Sequence, residues 1–232
     1  MVRLKRKLTV IDIFCGAGGF SEGFEKAGFA ILRGYDNWET ARNTFEYNHH
    51  GAEAIAGDII ELSKLPDKEF HSIFPDSDII IGSPPCVSFS NSNRSGYVSK
   101  TLGIALIEAY LRIVMRKKIK RGSQLKYWIL ENVPNSEKFI ESKYSNSDLG
   151  VKSKKYTLKV KYDNSSTYSA IAFGVPTKRK RYFCGEFPDP ITNHVDYKEL
   201  SFGRVIRELS AKYSIDPNWR DMGEFEHSDI TD

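Results

Sequence analysis

Apolar and polar positions in the first 130 residues alternate between two rhythms. Short apolar runs at Leu8–Phe14, Phe29–Tyr35, Ala52–Ala56, Asp78–Ile81 and Tyr127–Leu130 have the length and composition of strands. Between them lie stretches with helical spacing. Phe20, Phe24 and Ala27 share one face of Phe20–Ala27, and Gly28 follows where a helix C-terminus favours glycine. Glu39–Asn48 reads as a second helix. Leu102–Lys118 reads as a long amphipathic helix whose basic end suits the helix dipole. Strands alternating with helices predict an α/β fold with a doubly wound, mostly parallel sheet. The pattern then weakens. Residues 141–165 are rich in Ser, Asn, Lys and Tyr without a clear period, and Ala170–Phe187 suggests strands flanking a turn at Thr177–Arg181. Val205–Leu209 reads as a short helix, and 214–232 is a polar, acidic tail.

The residues capable of chemistry fall just after the predicted strands. In an open α/β sheet that places them on the carboxyl edge, where ligands gather. Gly16-Ala17-Gly18-Gly19 follows the first strand, and glycines there let a ligand approach the backbone closely. The glycines at 16, 18, 19 and 23 do not match the dinucleotide fingerprint well. Asp36 ends the second strand, where a carboxylate can accept both ribose hydroxyls of an adenosyl group. Asp58 follows the third, where it can accept from an adenine amino group. Together with the glycine turn, these acids favour S-adenosylmethionine over a nicotinamide cofactor. Cys86 follows the fourth strand on a loop stiffened by Pro84 and Pro85, which suits a nucleophile better than a core cysteine. Glu131 and Asn132 follow the fifth strand. Arg179 and Arg181 alternate on an extended segment and so point the same way.

Composition changes this picture little. The net charge of +4 permits a nucleic-acid partner without requiring one. Basic residues cluster at 3–7, 112–121, 152–161 and 178–181, and the first three clusters read as solvated faces. Cys15, Cys86 and Cys184 lie on separate segments without the spacing of a zinc site or a disulfide framework, as expected of a reducing cytoplasm. His49-His50 reads as a solvated pair at a helix end, so no metal is expected. No apolar run approaches the length of a membrane span.

Four segments in this order resemble the DNA cytosine-5 methyltransferase family: DxFxGxGG at 12–19, PPCxxFS at 84–90, Glu131-Asn132-Val133, and the Arg179/Arg181 pair. The resemblance spans about 8–210. It implies a Rossmann-like S-adenosylmethionine-dependent methyltransferase fold, with a catalytic domain at 1–210 and a polar tail at 211–232 leading toward a target-recognition domain. It implies that Cys86 adds to carbon 6 of a cytosine flipped out of DNA, so that carbon 5 can take the methyl group. Glu131, with its carboxyl shifted upward, would serve ring nitrogen 3. Arg181 would contact the ring oxygen, and Arg179 would support the loop. Cofactor contacts would come from Phe14, Gly16, Ala17, Gly18, Gly19, Asp36, Asn37, Asp58, Ile59, Pro85 and Leu106, with S-adenosylhomocysteine as product. Ser88, Phe89, Ser90 and Asn132 would form the substrate loop. The chain departs from the family pattern at Asn37, where a large apolar residue is common, at Thr177, where Gln is usual, and near Ala172, where Asp or Asn is usual. A restriction-modification or split system is expected, with a second subunit supplying target recognition. A tRNA cytosine-5 methyltransferase and a non-catalytic partner subunit are the alternatives.

Overall fold

A computed structural model describes residues 6–86, 89 and 100–192. The expected helix at Val205–Leu209, the tail at 211–232, and Ser88 and Ser90 lie outside the described residues. The chain divides into two compact units, 1–167 with 181–189 and 168–180 with 190–232.

The larger unit is built on parallel strands β1 (Thr9–Ile13), β2 (Ala30–Asp36), β3 (Glu53–Ala56), β4 (Ile79–Gly82) and β5 (Tyr127–Asn132). Each is within two residues of its predicted span at either end. The two-stranded β6 (Lys143–Ser145) and β7 (Thr157–Lys159) follow, then β8 (Ser166–Ser169) and β9 (Lys180–Glu186). The seven-stranded sheet runs β3-β2-β1-β4-β5-β9-β8, and β9 is antiparallel to β5.

The strands read as continuous apolar runs because helices cover both faces of the sheet. Alternate residues enter different cores: Ile11, Ile13 and Ile80 pack on one face, and Val10, Ile79 and Ile81 on the other. Helices α1 (Gly19–Lys26) and α2 (Glu39–Asn48) cover the second face with Phe20, Phe24 and Phe45. On the first face lie α3 (Ile59–Leu62), α4 (Asp67–Ile73) and α5 (Lys100–Ile119). Neither α3 nor α4 is predicted, since four and seven residues are too short for a 3.6-residue period to stand out.

The amphipathic reading of α5 needs correction. Gly103, Ile107, Ala109–Leu111, Ile113–Met115 and Lys117 are all buried. The sheet takes one side, and Ile140, Tyr144, Leu149, Val151, Leu158 and Val160 from the 140–160 segment join the same core. Arg112 lies between two neighbouring segments, donating to Leu149 O at 2.6 Å and Ser63 Oγ at 2.8 Å. The basic cluster at 112–121 is therefore partly internal rather than a solvated face. Arg116 pairs with Asp67, Lys117 and Lys120 with Asp76, and Lys118 with Glu186.

At the amino edge of the sheet, Asp78 fastens β1 and β4 together. Its wholly buried carboxylate accepts from Arg6 at 2.8 and 2.9 Å and from Thr9 N and Oγ1 at 2.9 Å each, and lies 3.2 Å from Lys126 Nζ. The carboxyl edge is left for chemistry. In the smaller unit, Ala170–Phe173 forms a 3₁₀ turn, and Tyr168 and Phe173 meet edge to face.

Candidate active site

The expected site residues of the larger unit gather at the carboxyl edge. The β1–α1 turn starts with strain: Phe14 has φ +64°, the one positive φ of a non-glycine among the described residues. Gly16 and Gly18 follow with φ +53° and +93°. The two glycines differ in what surrounds them. A Cβ on Gly16 would meet nothing within 4 Å, whereas one on Gly18 would lie 2.1 Å from His49 Nε2. Asp36 braces the turn from the end of β2. Its Oδ2 accepts from Gly16 N at 3.0 Å and its Oδ1 from Trp38 N at 2.9 Å.

These residues fit an adenosyl cofactor. Each carboxylate oxygen has two acceptor sites, so Asp36 retains one per oxygen for ribose hydroxyls. The space over Gly16 is open. Asp58 caps α3 through Oδ1, which accepts from Ile60 N at 2.8 Å, and Oδ2 has no hydrogen bond among the described residues. Asn37, Trp38 and Pro85 are exposed and Leu106 is half-buried. Ile59 is different: the residue is 2% exposed and packs in the core.

On the other side of the edge, two loops are fastened together. Asn132, buried at the end of β5, donates from Nδ2 to Pro84 O at 3.0 Å and accepts from Val133 N at 2.8 Å. The loop after β5 thereby holds the loop that presents Cys86. Ser83 N donates to Ile13 O at 3.2 Å, tying that loop to the glycine turn as well. Phe89, expected in the substrate loop, acts as an anchor. It is 5% exposed, stacks on Phe139 at 5.0 Å, and its N–H closes a turn onto Cys86 O. Of the three cysteines, Cys86 is the half-buried one. Burial encloses Cys15 and Cys184 and pushes both thiols up, Cys184 to about 12. Cys86 is the least enclosed of the three thiols.

Glu131 and Arg181 form an ion pair, Oε1 to Nε at 3.0 Å, with both side chains about one-fifth exposed. The sequence places each functional group after a strand, and here the structure differs. Glu131 lies within β5, and Arg181 near the start of β9. The antiparallel run of β9 brings its beginning to the edge where the parallel strands end, with Asn132 opposite Tyr182. The pair engages the Glu131 carboxylate directly. Arg179 belongs to the smaller unit, where it is exposed and its carbonyl accepts from Ala170 N at 2.9 Å.

Sequence reasoning missed the residues behind the glycine turn. His49 is not solvated: it is 1% exposed, while His50 is exposed. Asp12 is wholly buried and accepts from Ser21 Oγ at 2.7 Å. Burial pushes its carboxyl up to about 7, against the Ser21 hydrogen bond and the His49 charge. The apolar residues around Asp12 hide this role in the sequence. For His49 the available signal is its position at the C-cap of a helix with no basic residue in its last turn.

The strand order, the antiparallel β9 and the acids after β2 and β3 define a Rossmann-like S-adenosylmethionine-dependent methyltransferase fold. A solved structure described as a prophage-encoded DNA modification methyltransferase (E. coli) superposes with a TM-score of 0.56 at 26% identity, over 78% of this chain and 47% of that one. Residues 8–214 match the C-5 cytosine-specific DNA methylase family, and the chain belongs to that family. Among curated relatives, the type II methyltransferase M.AquIA of Picosynechococcus is 29% identical over 81% of this chain and 77% of its own length. M.FnuDI of Fusobacterium nucleatum is 29% identical over 91% and 55%, and M.MthTI of Methanothermobacter thermautotrophicus is 30% identical over 83% and 56%. The chain thus spans about half the length of several relatives it matches. No helix among the described residues is long and apolar enough to cross a membrane.

Proposed function

We propose that this protein methylates carbon 5 of cytosine in DNA through a covalent adduct on Cys86. The observation that carries the reading is the Asn132–Pro84 hydrogen bond, which fastens the end of β5, next to Glu131 and its partner Arg181, to the loop of the half-buried cysteine. S-adenosylmethionine supplies an electrophilic methyl group when bound. Gly16 leaves room for it, and Asp36 and Asp58 would hold its ribose and adenine.

Carbon 5 of cytosine is a poor nucleophile. The Cys86 thiolate adds to carbon 6, forming a carbon–sulfur bond and pushing the ring electrons toward carbon 5 and nitrogen 3. Glu131 holds a proton at nitrogen 3 and Arg181 faces the ring oxygen, so that a fixed donor and a fixed cation meet the developing charge. Their ion pair opens as the base enters, because each then has a partner on the ring. Carbon 5 then takes the methyl group as its bond to the cofactor sulfur breaks, the carbon 5 proton leaves to water, and expulsion of the Cys86 thiolate with return of the nitrogen 3 proton to Glu131 restores the aromatic ring. The restriction-modification setting and a second subunit for target recognition remain part of this proposal.

Covalent trapping tests it. DNA containing 5-fluorocytosine blocks the final elimination, so a working nucleophile stays attached. The expected result is an adduct that needs S-adenosylmethionine and disappears in Cys86→Ala. Trapping in the Cys86→Ala variant, or on a tRNA substrate in preference to DNA, would overturn the assignment. Dependence of sequence-selective trapping on an added recognition subunit tests the partner.

A further inference from the structure

The glycine turn is held from behind by the last residues of α2. Asn48 Nδ2 donates to Ala17 O at 2.9 Å, and His49 Nε2 lies 3.0 Å from Gly18 O. The other ring nitrogen of His49, Nδ1, lies 2.7 Å from Glu25 Oε2 on α1. Both partners of the ring are acceptors. A neutral imidazole has one N–H and one lone pair, so it can satisfy only one of them and turns its lone pair against the other. An imidazolium donates to both. Glu25 and Glu22 face it from α1, and the buried Asp12 faces it from β1. His49 also caps the C-terminus of α2, where the helix dipole favours positive charge. Its ring is fixed by Phe45 at 4.8 Å between centroids, and only a glycine at 18 leaves it room.

We infer that His49, engaged at both ring nitrogens and assisted by Asn48, is a positioning residue that latches the glycine turn in the shape that receives S-adenosylmethionine. This rests on the cofactor reading given above. The latch does not touch the cofactor. It fixes the carbonyls of Ala17 and Gly18, and the turn at Gly16 that faces open space is the next element along the same chain. Losing either of these contacts loosens the turn, so cofactor affinity falls when the ring is replaced.

The test is calorimetric titration of the full chain with S-adenosylmethionine, without DNA. His49→Asn, whose amide reaches only the place of Nδ1, loses the contact with Gly18 O and should bind on the order of tenfold more weakly. His49→Gln, whose amide reaches the place of Nε2, keeps that contact and should recover most of the affinity. Equal affinity of wild type and His49→Asn, or equal losses in the two variants, would overturn the latch. If His49→Asn does not fold, unchanged affinity in Asn48→Ala, which removes the donor to Ala17 O, overturns it instead. Absence of binding by the wild type would overturn the cofactor reading, and the latch with it.

Discussion

Replacing Gly18 by alanine would place a methyl carbon 2.1 Å from His49 Nε2 and 3.1 Å from Phe45 Cδ2, on a backbone at φ +93°. The left-handed backbone alone costs a non-glycine residue roughly 1–2 kcal/mol. The His49 ring is packed in the core and held at both nitrogens, so it cannot swing away, and overpacking of this kind costs about 1–3 kcal/mol more. The expected destabilisation is therefore about 2–5 kcal/mol, a large part of the net stability of a typical domain. Gly16→Ala is the internal control. Its φ of +53° carries a similar backbone cost, but its Cβ meets nothing within 4 Å. Urea unfolding followed by tryptophan fluorescence is a suitable assay because Trp128 is wholly buried. With a slope of about 2–3 kcal/mol per molar, Gly18→Ala should lower the midpoint by about 1–2 M. Gly16→Ala should lower it by under 1 M while weakening S-adenosylmethionine binding, since its methyl group would stand in the open space assigned to the cofactor. Equal midpoints for the two variants would refute the argument that His49, rather than the cofactor, dictates glycine at position 18.

Two further expectations concern other parts of the structure. Burial would raise the Asp78 carboxyl, but hydrogen bonds from Arg6, Thr9 and Lys126 more than reverse this and hold it well below the usual carboxylate range. A depressed native value means that its stabilisation is present above an unfolded-state value of about 3.9 and is lost as pH falls through the native one. Acid unfolding curves should show Asp78→Asn losing less stability than wild type below about pH 4, and starting about 1.5–3 kcal/mol lower at pH 7; parallel curves would contradict the account. Asn132→Ala leaves Pro84 O and Val133 N without their partner, at about 1–3 kcal/mol, and frees the Cys86 loop. Methyl transfer should slow by tenfold or more at saturating S-adenosylmethionine with cofactor affinity unchanged, and an unaltered turnover would remove the loop tie from the mechanism.

The β1 to β5 framework was legible in the sequence because both faces of the sheet are covered. Burial on two sides demands continuous apolar runs such as Ile79-Ile80-Ile81, and the turns between them need glycine, proline or a capping acid, which local sequence displays. The order of Gly16, Asp36, Asp58, Cys86 and Glu131 along the chain likewise implied one shared edge, because every parallel strand ends on the same side. Tertiary structure decided what depends on partners distant in sequence. Arg181 reaches the edge because β9 runs antiparallel to β5, a direction that no local period encodes. The second buried face of α5 exists because the 140–160 segment folds over it. His49 is engaged at both ring nitrogens because Glu25 and Gly18 O converge on it from 24 and 31 residues away, and Asn132 becomes a tie because Pro84 O, 48 residues earlier, lies beside it. Periodicity and turn chemistry are local, so the sequence by itself determined the elements and the edge. Charge pairing and hydrogen bonding act across space, and only the assembled fold could assign them.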